Sequence, residues 1–320
     1  MKNTVEIIKV VYACNDVYII QTIVSITSLL CNNVNNKIKI YVIGDNISDE
    51  NRKKLENAIT KYSCEYQYIE IEKILPPDLN ISEARHPRTI YAKLFMDMLP
   101  ETGKLLYLDS DTVVLKGLED LFSINLGNNL AAGVMMPYSK QKLETRGMSI
   151  TDFYICDGIV LVNLSKWRAE NISVQCIQYI MEWNGNPPML SEGVLNEVCK
   201  GRIKIVHPKF NVMSHMFFFK PAELYRVFQS QDNYYPQEEL YEAVKEPVII
   251  HYIKELYERP WCEGSDHPEK ERYYKYCDYA EVPQIISTKE ISEKTRLLKL
   301  MFKVMPFNMF LRLYLFLHGE

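Results

Sequence analysis

None of the eight cysteines (Cys14, Cys31, Cys64, Cys156, Cys176, Cys199, Cys262 and Cys277) forms a Cys-x-x-Cys pair. That absence sets aside the usual zinc and redox motifs. Scattered single thiols in a chain of 320 residues read as those of a reduced, cytosolic protein. Gly-x-Gly-x-x-Gly is missing after the first apolar stretch, which argues against a dinucleotide cofactor. There is no basic excess either: a formal net charge of −4 gives no support for nucleic acid as a partner. Lys2-Asn3-Thr4 leads directly into the core-like run Val5 to Val11, so no cleavable signal peptide is expected. In that setting the Asn-x-Ser matches at Asn46, Asn80, Asn163 and Asn171 carry no glycosylation meaning. What is present, 47% hydrophobic and 24% charged residues, is the composition of a folded protein with ample core.

The stretch Lys104 to Leu115 organises the rest. It is apolar from Leu105 to Leu108 and then meets two carboxylates, Asp109 and Asp111, with Ser110 between them. On a continuing strand the two acids share a face while Ser110 points away. Carboxylates at that spacing repel, and one pKa rises unless a cation sits between them. All-oxygen ligands suit Mg²⁺ or Mn²⁺, and such an ion suits a diphosphate. The alternative is an ordinary Asp-Ser-Asp turn.

Upstream, Val5–Tyr12, Ile38–Ile43 and Glu65–Ile71 alternate as strands, with helices over Ile19–Leu30 and from Ser48 onward. This is a Rossmann-like half suited to a nucleotide base and ribose. Without a glycine-rich phosphate loop, the diphosphate needs another partner, which a metal on Asp109 and Asp111 would supply. Pro76-Pro77-Asp78 and Ala84 to Thr89 read as loops. Tyr91–Leu99 is expected to be a helix whose Lys93 faces the strand ends. Ala131–Met136 and Ile159–Val162 are further strands, separated by an irregular segment, Tyr138 to Thr151, that suits substrate contact. Gly158, before the second of them, marks either a close backbone approach by a ligand or a bulge. Ser173–Trp183 and Glu192–Cys199 read as helices, and Val248–Tyr252 as the last strand.

In this order the chain resembles family 8 glycosyltransferases, retaining enzymes that include bacterial lipooligosaccharide galactosyltransferases and glycogenin. The resemblance rests on Leu106 to Asp111, on Gly158 to Leu164 with Trp167, on Val194-Leu195-Asn196, on Phe210-Asn211, and on His251-Tyr252 with Arg259-Pro260-Trp261. It implies an α/β architecture of the GT-A type, a Rossmann-like nucleotide-binding half with a mixed central sheet over residues 1–282. It also implies a UDP-sugar donor, Mn²⁺ with Mg²⁺ as the alternative, and transfer of galactose or glucose to a saccharide or lipid-linked glycan in cell-surface polysaccharide assembly. By the resemblance His251 joins Asp109 and Asp111 as a metal ligand. Ala13, Asn15 and Tyr18 then meet the nucleoside, and Lys93, Ser110, Gly158 and Arg259 belong to the donor site.

Some positions depart from the family's pattern. Its usual Asp-Gln-Asp is Ser191-Glu192-Gly193 here, which places Glu192 on the far face of the sugar as the group expected to stabilise an oxocarbenium. Ser191 stands where an aspartate grips sugar hydroxyls, and Asp157, in Cys156-Asp157-Gly158, is expected to recover that contact. Two further readings stand beside the enzyme: a degenerate member that binds without turnover, and a nucleotidyltransferase, which would want the missing glycine-rich loop.

The remaining residues, 283–320, change in character. From Lys294 onward, Lys294, Arg296, Lys299, Lys303 and Arg312 meet one acid, Glu320, amid leucine, methionine and phenylalanine. Broken at Pro306, this amphipathic helical tail is too short to span a bilayer, which takes about 20 apolar residues. It suits the surface of an anionic membrane, which would place the protein peripherally on the inner face of the cytoplasmic membrane. The competing expectation is a helix packed on the core or on a second copy, as in a homodimer.

Overall fold

The computed structural model describes residues 7–81, 87–148, 153–230, 234–288 and 291–318. Residues 5 and 6 of the first expected strand, 84–86 of the second expected loop and 149–151 of the irregular segment lie outside them. Seven strands form the main sheet in the order β3-β2-β1-β4-β7-β6-β8. They are β1 (Ile8–Asn15), β2 (Ile38–Asp45), β3 (Glu65–Glu70), β4 (Lys104–Leu108), β6 (Ala131–Met135), β7 (Ile155–Asn163) and β8 (Ile203–Ile205). The first four run parallel, β7 is antiparallel to both β4 and β6, and β8 is parallel to β6, so the sheet is mixed. β5 (Thr112–Val114), β9 (Val212–Met213) and β10 (Ile249–His251) form a small second sheet.

The central strands β1 and β4 are buried on both faces, as strands covered on two sides must be. α1 (Ile19–Cys31) packs its Ile19, Ile23, Ile26 and Leu29 against one face. α2 (Asp49–Thr60) starts at the expected cap: the Ser48 hydroxyl accepts from Asn51 N–H, and Asp49 and Glu50 occupy the first turn. The opposite face holds the helices α3 (Ile172–Glu182) and α4 (Leu190–Val198), around Trp167, Val194 and Leu195. α5 (Lys270–Ala280) follows β10 and packs on α1.

Two expectations need correction, and the tail takes up one of its two alternatives. Asp109 and Asp111 do not continue a strand, because β4 stops at Leu108 and β5 begins at Thr112. The Thr112 hydroxyl donates to the Asp109 carbonyl at 2.8 Å, closing a turn across the two acids. Arg88–Met98, where a regular helix was expected from Tyr91, is a 3₁₀ segment with a break at Phe95 (φ −121°). The tail forms α6 (Glu293–Val304) and α7 (Phe307–His318), and it packs on the body: Leu298, Phe310 and Leu311 join the main core. Phe302 meets Phe219 edge-on and Phe218 at a tilt, and Phe310 meets Phe219 at a tilt.

Candidate active site

Register places the site. Val10 and Val11 of β1 pair with Leu106 and Tyr107 of β4, so Asn15 and Asp109 emerge at the same sheet edge. Leu108 pairs with Ile159 of antiparallel β7, which delivers Cys156-Asp157-Gly158 to that edge from the other direction. His251 pairs with Thr112, and this sets the imidazole beside Asp111. Strand order also reverses between β1 and β4, the position at which open α/β sheets leave a ligand crevice. A cleft of about 220 Å³ occupies it, lined by Ala13, Asn15, Tyr18, Thr89, Ile90, Tyr107 and residues 109–111.

The carboxylates of Asp109 and Asp111 and the His251 imidazole offer ligand atoms that lie within 4.8 Å of one another. His251 Nε2 is 3.0 Å from Asp111 Oδ1 and 3.9 Å from Asp109 Oδ2. Its Nδ1 faces the buried Asn211 Oδ1 at 3.1 Å, which leaves Nε2 facing the two acids. Gly158 has no room for a side chain. A Cβ would lie 2.3 Å from His251 Cε1 and 2.7 Å from Asp109 Oδ2. β7 also shifts register against β6 between Ile155 and Val160, so this glycine lies in a bulged stretch, and the close approach it provides is to His251 and Asp109. One buried imidazole, two carboxylates open to a cleft and a second-sphere amide together fit a divalent cation.

Charge around the cluster is balanced by position. Burial works against the Lys93 ammonium, yet Asp109 and then Asp157 hold its pKa well above the usual lysine value. Its Nζ lies 3.3 Å from Asp109 Oδ1 and 3.0 Å from Asp157 Oδ2, over the Tyr107 ring. Desolvation pushes Asp109 up against the pull of Lys93. Asp111 is also desolvated, but His251 and then Arg259 hold it below the ordinary carboxylate range. Arg259 reaches Asp111 Oδ2 at 3.5 Å and donates to the Tyr18 hydroxyl at 3.1 Å, with its guanidinium over Trp261.

The far side of the site is made by α4. Ser191 donates to Asp157 Oδ2 at 2.7 Å. Burial, and then the Asp157 carboxylate, push Glu192 up to about 8, so near neutral pH it holds its proton. Gly193 stands where the family has an aspartate, and its Cβ position lies 1.8 Å from the Pro188 carbonyl oxygen. The start of α4, entered through positive φ at Met189 and Leu190, admits no side chain there.

Of the site residues singled out from the sequence, Ala13, Asn15, Tyr18 and residues 109–111 line the cleft, and Lys93, Asp157, Ser191, His251 and Arg259 join them through direct contacts, with two qualifications. The Ser110 hydroxyl turns away from the cleft to Thr22 Oγ1 at 2.8 Å. Asn15 Oδ1 caps the short turn Asp16–Tyr18 by accepting from Tyr18 N–H. Sequence reasoning missed the buttress behind the acidic turn. Thr22, Ser25 and Ser28 recur every three residues on α1; Ser25 meets Thr112 Oγ1 at 2.8 Å, and Ser28 accepts from Val114 N–H at 2.8 Å. The signal was a hydroxyl stripe on an otherwise apolar helix, which an exposed-face reading does not reach.

The comparisons agree with this geometry. General stress protein A of Bacillus subtilis is 23% identical over 281 residues, covering 86% of this chain and 94% of that protein. The lipopolysaccharide 1,3-galactosyltransferase of Salmonella typhimurium is 25% identical over 257 residues, 77% of this chain and 70% of its own length. Among solved structures, the galactosyltransferase LgtC, crystallised with donor and acceptor sugar analogues, superposes with a TM-score of 0.68 at 21% identity, covering 90% of this chain and 99% of that one. That likeness bears out the GT-A architecture and the mixed sheet expected from the sequence. The glycosyl transferase family 8 model matches residues 9–264, and the chain, a glycosyltransferase, belongs to that family.

Proposed function

We propose that this glycosyltransferase moves a hexose, galactose or glucose, from a UDP-sugar to a saccharide or lipid-linked glycan, with retention of anomeric configuration. The observation that carries the reading is the convergence of Asp109, Asp111 and His251 on one point beside the cleft at the tip of β1. These three residues would hold Mn²⁺, with Mg²⁺ the alternative ion, and the cation would supply Lewis-acid stabilisation to a leaving diphosphate. Ala13, Asn15 and Tyr18 receive the nucleoside at the tip of β1. Arg259 places a fixed positive charge at the diphosphate edge, where negative charge grows as the glycosidic bond breaks. Lys93 holds Asp109 and Asp157 apart from each other's charge. On the opposite face Asp157 and Ser191 meet sugar hydroxyls, and Glu192, once ionised, stabilises the developing positive charge on the sugar ring.

A second reading, a member that binds donor without transfer, is favoured only by the changes at Ser191 and Gly193. Incubation with UDP-hexoses and Mn²⁺ in the absence of acceptor separates the two. The enzyme reading expects slow UDP release from one of them, abolished by EDTA. Mn²⁺-dependent thermal stabilisation by UDP-sugars without any UDP release supports the second reading, and neither signal from any UDP-sugar overturns both.

The tail belongs to the same proposal as a peripheral contact with the inner face of the cytoplasmic membrane. Among the described residues no helix is long and apolar enough to cross a membrane. The outer faces of α6 and α7 leave Leu297, Leu300, Val304, Met309 and Phe316 exposed beside Lys294, Lys303 and Arg312. Flotation with anionic vesicles, lost in Leu297→Ser/Leu300→Ser, is expected. Unchanged flotation contradicts the contact, and a concentration-dependent dimer without flotation assigns the face to a second copy.

A further inference from the structure

Arg259 sits in a segment with little regular structure of its own: residues 252–269, between β10 and α5, form no helix and no strand longer than a single bridge. Something outside the segment must fix the guanidinium. The residue before it, Glu258, is 4% exposed, and a buried carboxylate without partners is strongly disfavoured. Its carboxylate accepts from Ile291 N–H at 3.1 Å and from Arg296 Nη2 at 3.0 Å. Its backbone is tied as well: Glu258 N–H donates to Asp266 Oδ1 at 3.2 Å, and its carbonyl accepts from Ser265 Oγ at 2.8 Å. Asp266 in turn pairs with Lys299. Arg296 and Lys299 are three residues apart on α6, so one face of a single helix holds both limbs of the loop that carries Arg259.

We infer that α6 is a positioning element for the donor diphosphate, acting through the Arg296–Glu258 and Lys299–Asp266 pairs on Arg259. The chain of contacts runs from α6 to Glu258, along the backbone to Arg259, and from its guanidinium to Asp111 and the Tyr18 hydroxyl. Loss of Arg296 removes the guanidinium that faces the buried Glu258 carboxylate at 3.0 Å. The loop then carries the carboxylate toward water, and Arg259, the next residue, moves with it. Glu258 and Arg296 are thus positioning residues that touch no substrate. This inference rests on the proposed diphosphate role of Arg259.

A double-mutant cycle tests it, with UDP and Mn²⁺ as the binding probe in calorimetry on the full chain. Arg296→Ala is expected to weaken UDP about tenfold, and Arg296→Lys less. KM for the UDP-sugar should rise and kcat should fall with it, because the displaced guanidinium also faces the charge that grows on the leaving diphosphate. In the Arg259→Ala background, Arg296→Ala should add nothing. Wild-type UDP affinity in Arg296→Ala, or a full additional loss in the Arg259→Ala background, overturns the inference. The underlying reading fails separately, if Arg259→Ala itself leaves UDP affinity unchanged. Should Arg296→Ala not fold, Glu258→Gln keeps the bond from Ile291 N–H, removes the charge and carries the same comparison.

Discussion

The two halves of the site were assembled under different constraints. On the side proposed for the diphosphate, Asp109, Asp111, His251 and Gly158 are brought together by three strand pairings, and each is a position on which the resemblance to the family rests. On the sugar side, Ser191, Glu192 and Gly193 come from the first turn of one helix, and that turn departs from the pattern at every residue. Strand register leaves little freedom, because a slip of one residue turns every side chain to the other face. A helix start can be rebuilt locally. Here the carbonyl of Pro188 occupies the space an aspartate at 193 would need, and the Asp157–Ser191 hydrogen bond restores a polar wall. Under the proposed function, the sheet holds the cation and diphosphate side, while the sugar side is open to change.

The contrast breaks most visibly at Gly158. Gly158→Ala puts a methyl group into the His251 ring and Asp109, so a loss in kcat/KM of about 10²–10³-fold is expected, with Mn²⁺ affinity falling in parallel. Retained Mn²⁺ affinity would show that the cluster tolerates what its packing forbids. A smaller effect is expected on the other side. Glu192 ionises at about 8, so kcat/KM should rise with pH through that value, and Glu192→Gln should flatten the profile and lower the plateau about tenfold. Undiminished turnover in Glu192→Gln removes Glu192 from the chemistry.

A third effect, on stability rather than on rate, concerns the loop bearing Arg259. Burial depresses His267 to about 3; it accepts from Glu269 N–H through Nδ1 and meets Ser214 Oγ through Nε2, the arrangement of a neutral ring. An unfolded histidine titrates near 6.5, so below that pH the unfolded chain binds the extra proton and stability falls. Its contribution is fully present above about pH 6.5 and diminishes by about 2 kcal/mol at pH 5. Denaturant melts of wild type and His267→Gln at pH 7 and pH 5 should show a steeper acid loss in the wild type. Equal slopes contradict the assignment.

The same contrast governs how much could be read beforehand. Strands β1 to β4 were legible because their apolar runs are framed by polar breaks, and the acidic pair was legible because it ends such a run. The bends were not. Arg88–Met98 has a helical pattern but tightens to 3₁₀ geometry under tertiary packing, and the Asp109–Asp111 turn is closed by a threonine hydroxyl that periodicity does not register. The contact between Arg296 and Glu258 spans 38 residues of sequence and follows no local rule. The sequence left the tail between a membrane surface and the core because its partners, Phe218 and Phe219, lie far upstream.

The central claim is that one divalent cation is held by three side chains from distant parts of the chain. Titration of Mn²⁺ in the presence of UDP, followed by electron paramagnetic resonance of the free ion, measures this directly. One tight site per chain is expected in the wild type and none in either Asp111→Asn or His251→Ala, with both variants folded by circular dichroism. A full site that persists in both variants would contradict the account.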